Sequence, residues 1–173
     1  MKKIIAALFA IALLGGCGKG VSEKDIAEKY KDAHISCTAR IETLAQNASE
    51  YTVRFEGRSG SGECEIIAPE SIKGVRAKLT DGGAEIEYEG KSVYTFLPAY
   101  REIAPVSCLC SLFEAVSSKT PSAFSPSSLR LDYTEGRLSR SLYFDEDLSL
   151  KSAEILYDGA MIVRVEITGM TLE

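Results

Sequence analysis

Ile35-Ser36-Cys37-Thr38-Ala39-Arg40-Ile41-Glu42 alternates apolar and polar residues without a break. A period of two puts Ile35, Cys37, Ala39 and Ile41 on one side of an extended chain and the polar residues on the other. That is the pattern of a strand with one buried face. The alternation returns along most of the chain. Tyr51, Val53 and Phe55 alternate with Thr52, Arg54 and Glu56; Cys64, Ile66 and Ala68 with Glu63 and Glu65; Val75, Ala77 and Leu79 with Arg76 and Lys78. Ala84, Ile86 and Tyr88 follow against Glu85, Glu87 and Glu89, then an apolar-rich run at 91–97. Beyond the middle of the chain come 129–133, 138–144, 151–157 and 161–168. Glu89-Gly90, Glu135-Gly136 and Asp158-Gly159 sit between runs as tight turns.

Two stretches have a helical period instead. Ser22 with Asp25 three residues later forms a capping box, and Ile26, Ala27, Tyr30 and Ala33 recur at helical spacing, predicting a helix over 23–33. Between Pro98, Pro105 and a serine- and proline-rich connector at 120–128, Ser107 is placed to cap a second helix over 108–118. Its apolar face holds Cys108, Leu109, Leu112, Phe113 and Val116. About ten antiparallel strands and two helices, with one apolar face per strand, predict a mainly β (α+β) domain. A single large sheet of that length curls into a half-barrel, and the helices are the natural covers for its hollow.

The first residues carry an address. Lys2 and Lys3 precede an uncharged apolar run over 4–14, too short to span a membrane, and Leu14-Gly15-Gly16-Cys17 follows. This reads as a lipoprotein signal with its lipobox: 1–16 is a signal peptide, 17–22 a lipidated start and tether, and 23–173 one domain. The competing reading is ordinary signal cleavage beside an incidental cysteine. Lipidated Cys17 predicts an extracytoplasmic protein anchored to the cell membrane.

Of 20 basic and 25 acidic residues, the leader removes two lysines and no acid, leaving a formal charge of −7. With no basic run, nucleic acid is excluded as a partner, and the membrane is reached by lipid rather than by charge. Four cysteines remain: Cys37, Cys64, Cys108 and Cys110. Outside the cytoplasm the default is disulfide, and a Cys108–Cys110 bridge would close a small strained ring, so links from that pair to Cys37 or Cys64 are preferred if bridges form. Buried thiols are the open alternative. A zinc site lacks the paired Cys-x-x-Cys spacing.

Chemistry is sparse. His34, the single histidine, sits at the junction of the first helix and first strand, which excludes a histidine-based triad or a multi-histidine metal site. Glu85, Glu87 and Glu89 read as a solvated strand face, and Asp145-Glu146-Asp147 as a polar turn. Ser59-Gly60-Ser61-Gly62 is a flexible turn, and no glycine-rich phosphate loop opens a helix. The reading is of a non-enzymatic protein with no metal and no cofactor. Its candidate ligand-binding residues are Tyr51, Phe55, Tyr88, Phe96, Leu112, Phe113, Tyr133 and Phe144, either packed as core or lining an apolar cleft between sheet and helices.

The lipobox, the first helix, the strand meander, Ala68-Pro69-Glu70-Ser71-Ile72-Lys73-Gly74-Val75 and Ile86-Glu87-Tyr88-Glu89-Gly90-Lys91-Ser92-Val93 resemble the lipoprotein-carrier superfamily (LolA/LolB-like). The nearer likeness is to Gram-positive, clostridial spore-germination lipoproteins (GerS-like). The resemblance implies a curved antiparallel half-barrel closed by helices, with a hollow that takes acyl chains of lipids or lipoproteins. It also implies an alternative, a non-catalytic partner of a cell-wall hydrolase such as a spore-cortex amidase. An anchored Cys17 departs from a shuttling carrier and favours a receptor, lipid-binding or partner-protein role. Exposed edge strands also admit a strand-exchanged homodimer.

Overall fold

The computed structural model describes residues 20–44, 48–80, 83–96 and 101–173. The signal peptide, Cys17 and the tether as far as residue 19 lie outside the described residues. Within them the chain runs α1 (Glu23–Lys31), β1 (Ile35–Thr43), β2 (Ser49–Arg58), β3 (Ser61–Ala68), β4 (Arg76–Thr80), β5 (Gly83–Tyr88) and β6 (Lys91–Thr95). Then come α2 (Pro105–Ser118), β7 (Ala123–Ser125), β8 (Arg130–Glu135), β9 (Leu138–Phe144), β10 (Leu150–Tyr157) and β11 (Ala160–Leu172). The eleven strands form one antiparallel sheet in the order β6-β5-β4-β3-β2-β1-β11-β10-β9-β8-β7. Each half is a meander, and β1 against β11 joins them. A register shift between Thr38 and Ala39 marks that seam, a bulge of the kind that bends a strand and increases its twist.

Both helices lie on the face carrying the alternating apolar residues. Ser22 caps α1 as expected: its hydroxyl accepts from the Asp25 amide while the Asp25 carboxylate accepts from the Ser22 amide at 2.8 Å. Helix α2 begins three residues earlier than the Ser107 cap predicts. Pro105 takes the first helical position, where its missing N–H costs nothing, and the Ser107 hydroxyl donates to the Arg101 carbonyl at 2.7 Å. The serine- and proline-rich connector also contains a strand, β7, paired to β8 from Ala123–Asp132 to Ser125–Arg130. Its three residues are too few to show a period.

Turns fall where the glycines place them. Glu89 and Gly90 both have positive φ, 50° and 72°, giving the two-residue turn between β5 and β6. Gly57 and Gly62 are a cross-strand pair on the inner face, and the Phe55 ring lies over Gly62. A Cβ on Gly57 would fall 2.4 Å from the Gly62 Cα and 2.5 Å from the Ser61 carbonyl oxygen, both backbone atoms. Gly57→Ala is therefore expected to cost about 1–3 kcal/mol, the range of overpacking, read as a lowered urea midpoint with unchanged m-value.

Candidate functional site

The hollow of the sheet is where the candidate residues meet. α2 lies across β2, β3 and β4 and beside α1, and is buried almost all round. Phe113 stacks between Tyr30 of α1 and Phe55 of β2, with ring centroids 6.1 and 5.3 Å away. Tyr30 also meets Phe144 edge-on at 6.1 Å. The Tyr30 hydroxyl accepts from the Leu150 amide at 2.7 Å, which ties α1 to the β9–β10 half. Phe55, Leu112, Phe113, Tyr133 and Phe144 are thus all in the packed interior. Tyr51, facing Ile41 across β1–β2, is half-buried at the margin of that core. The helices occupy the space that an open cleft would need.

The same apolar row continues past the helices. On the inner face Cys37 pairs with Phe55, Phe55 with Cys64, Cys64 with Ala77, Ala77 with Ile86, and Ile86 with Val93. Phe55, Cys64 and Ala77 are fully buried under α2, whereas Val93 at the end of the row is 61% exposed. Tyr88, on the same face, is 39% exposed. Phe96 stands on the other side of the sheet. It follows β6, pairs edge-on with Tyr94 at 5.9 Å, and is 81% exposed beside Tyr94 at 59%. Tyr94 lies over Gly83, where a Cβ would come within 2.6 Å of its hydroxyl.

The hollow also holds a buried ion pair. Arg140 takes an inner position of β9, between Leu138 and Leu142, and pairs with Glu102 in the short turn before α2. Arg140 Nε donates to Glu102 Oε1 at 2.7 Å, and the Ser111 hydroxyl donates to the same oxygen at 2.7 Å. Both charged side chains are buried, 4% and 3% exposed. Arg140 reaches outward to Glu135 at 3.1 Å, which Lys119 also meets at 2.8 Å. The Lys119 ammonium, then the Arg140 guanidinium, hold the Glu135 carboxyl below the usual carboxylate range. Beside Arg140 on β8, the Tyr133 hydroxyl is buried with no hydrogen-bond partner among the described residues, and burial pushes its pKa up to about 12. The signal in the sequence was an arginine in phase with Leu138, Leu142 and Phe144.

The four cysteines are buried as thiols, Cys37 and Cys64 on the sheet and Cys108 and Cys110 on α2. Burial pushes the Cys37 thiol up to about 12 and moves Cys64 and Cys108 in the same direction. A protonated, enclosed thiol is a poor nucleophile and a poor metal ligand. No group of His, Cys, Asp and Glu among the described residues is arranged to hold a metal ion.

A depression of about 440 Å³ on the outer face is lined by His34, Arg54, Glu56, Glu63 and Glu65. His34 is half-exposed there, with Nε2 3.5 Å from Glu56 Oε1. Walls of charge suit solvent or a polar partner rather than an acyl chain. No described helix is long and apolar enough to cross a membrane.

No family model and no curated protein sequence matches the chain. Solved structures do. An uncharacterized conserved protein from Thermus thermophilus aligns over 87% of this chain and 85% of its own, with 11% identity and a TM-score of 0.52. A LolA superfamily protein from Nitrosomonas europaea aligns over 88% of this chain and 94% of its own, with 8% identity and a TM-score of 0.47. At such identities the likeness to the Thermus protein is one of fold: a curved antiparallel sheet spanning nearly the whole of both chains.

Proposed function

We propose that this chain is a non-enzymatic binding module of the lipoprotein-carrier kind, held outside the cytoplasm by a lipid on Cys17. Its ligand is an acyl chain, of a lipid or a lipoprotein, taken on the inner face of the β5–β6 hairpin. The single observation that carries this reading is the apolar row that leaves the shelter of α2. Ile86, Tyr88 and Val93 continue the core's own face, and toward its end Tyr88 and Val93 are 39% and 61% exposed. Apolar surface of that kind, on a concave face and continuous with the interior, gains free energy when an acyl chain removes it from water, about 25 cal/mol per Å². Phe55, Leu112, Phe113, Tyr133 and Phe144 then form the floor that positions this strip rather than the contact surface.

Native mass spectrometry of the chain, extracted from membranes in a mild detergent, tests the reading. An additional acyl-bearing mass, beyond that of the covalent anchor and lost in Val93→Asp, is the expected result. A chain that carries only its anchor, and takes up no added fatty acid or phospholipid, contradicts it.

A second reading rests on the Tyr94–Phe96 pair, an aromatic patch on the outer face of the same hairpin. Large exposed aromatics of this kind suit docking onto another protein, here an envelope hydrolase such as a cortex amidase. Phe96→Ser would then abolish co-purification of that enzyme and leave lipid uptake intact.

A further inference from the structure

We infer that two copies of this chain join through β6, edge to edge and antiparallel, about a two-fold axis at Val93. The two edges of the sheet are unequal. At one end β7 has three residues and lies between Pro121 and Pro126, the short, proline-flanked kind of edge that resists pairing. At the other, β6 is a regular five-residue strand, exposed throughout, with no proline, no bulge and one lysine at its start. Edge strands left in that state pair with another strand.

The register of the hairpin fixes which groups point outward. Glu89-Gly90 is a two-residue turn, so Tyr88 and Lys91 form its closing hydrogen-bonded pair. Alternation then turns the N–H and C=O groups of Lys91, Val93 and Thr95 toward β5, and those of Ser92 and Tyr94 away from the sheet. Antiparallel pairing centred on Val93 sets Ser92 of one copy opposite Tyr94 of the other, and each such pair exchanges both of its N–H···O bonds. Val93 meets Val93 at the axis as a non-hydrogen-bonded pair, the class in which side chains approach closest.

Side chains agree with this register. Lys91 falls opposite Thr95 of the second copy, so the two lysines are at opposite ends of the ladder. Glu85 and Glu87 face Tyr94 and Ser92 of their own hairpin. No charge of β6 confronts its like. The row from Cys37 to Val93 runs on, through Val93 of the second copy, into that copy's own core. Such pairing is isologous and uses the one open edge of each copy, so it closes at two rather than growing into a fibre. It adds a strand from outside and exchanges none, and it is independent of whether an acyl chain is bound.

Two measurements on the full chain test it. In density-matched sedimentation equilibrium in detergent, the protein is expected at about twice the mass of its processed monomer, the chain from Cys17 onward with its covalent anchor. Val93→Lys places two ammonium groups at the axis and is expected to weaken association by about tenfold or more, with an unchanged far-UV circular dichroism spectrum. In intact membranes, Val93→Cys is expected to give a disulfide-linked dimer under mild oxidation, while the unsubstituted chain gives none because its cysteines in the sheet and α2 are buried. A monomer at micromolar concentration, or a dimer that Val93→Lys leaves intact, would overturn the proposal.

Discussion

Arg140→Met is expected to destabilise the domain by about 3–5 kcal/mol, the cost of breaking a buried ion pair from one side. The reason is asymmetry. Methionine fills much of the same volume, but Glu102 is left buried with the Ser111 hydroxyl as its remaining donor at 2.7 Å. Glu135, at 61% exposed, turns to water and loses little. For a domain of this size the shift corresponds to roughly 10 °C in Tm, read by circular dichroism. The double variant Glu102→Leu/Arg140→Met, which removes both charges, is expected to recover most of that loss, because an apolar pair carries no desolvation penalty. A single-variant cost under about 1 kcal/mol would mean that Glu102 is hydrated, and that the turn before α2 is not clamped to β9.

The second large effect is alkaline unfolding. Cys37 titrates at about 12 in the fold against 9.0 in an exposed chain, and burial moves Cys64 and Cys108 the same way. A group raised in the folded state contributes stability that is fully present below its unfolded pKa. That contribution is lost as pH rises toward the folded value. By pH ~11 Cys37 alone forfeits about 3 kcal/mol of the 5–15 kcal/mol margin of an ordinary domain, and Cys64 and Cys108 add losses of the same sign. Far-UV circular dichroism is therefore expected to show cooperative unfolding between about pH 9 and 11. In Cys37→Ala/Cys64→Ala/Cys108→Ala the transition should move upward by about one pH unit, where the Tyr30 and Tyr133 phenols take over. A native spectrum persisting past about pH 12 would show that the thiols are not enclosed as described.

The strands were legible because burial imposes a period of two, and Ile35 to Ile41 or Ala84 to Tyr88 carry it plainly. β7 was not, since three residues between prolines show no period. The face of each strand could be read, but not what covers it. Phe55 and Val93 belong to one cross-strand row, and one is fully buried while the other is 61% exposed. The difference is the reach of α2, set by packing between distant segments. For the same reason Glu102 could not be matched to Arg140, 38 residues away, although an arginine in phase with leucines was itself a sign of an interior partner. Phe96 reads from the sequence as one of the strand aromatics of the candidate set; its ring stands edge-on to Tyr94, 81% exposed just past the end of β6.

The central claim is that the uncovered strip on the hairpin, and not the filled hollow under α2, receives an acyl chain. Photo-crosslinking with a palmitoyl chain bearing a terminal diazirine, followed by peptide mapping of the full chain, tests it most directly. Adducts concentrated on Ile86, Tyr88 and Val93, competed away by unlabelled palmitate, are the predicted result. Adducts on the outer-face residues around His34 and Glu56, or none above background, would contradict it.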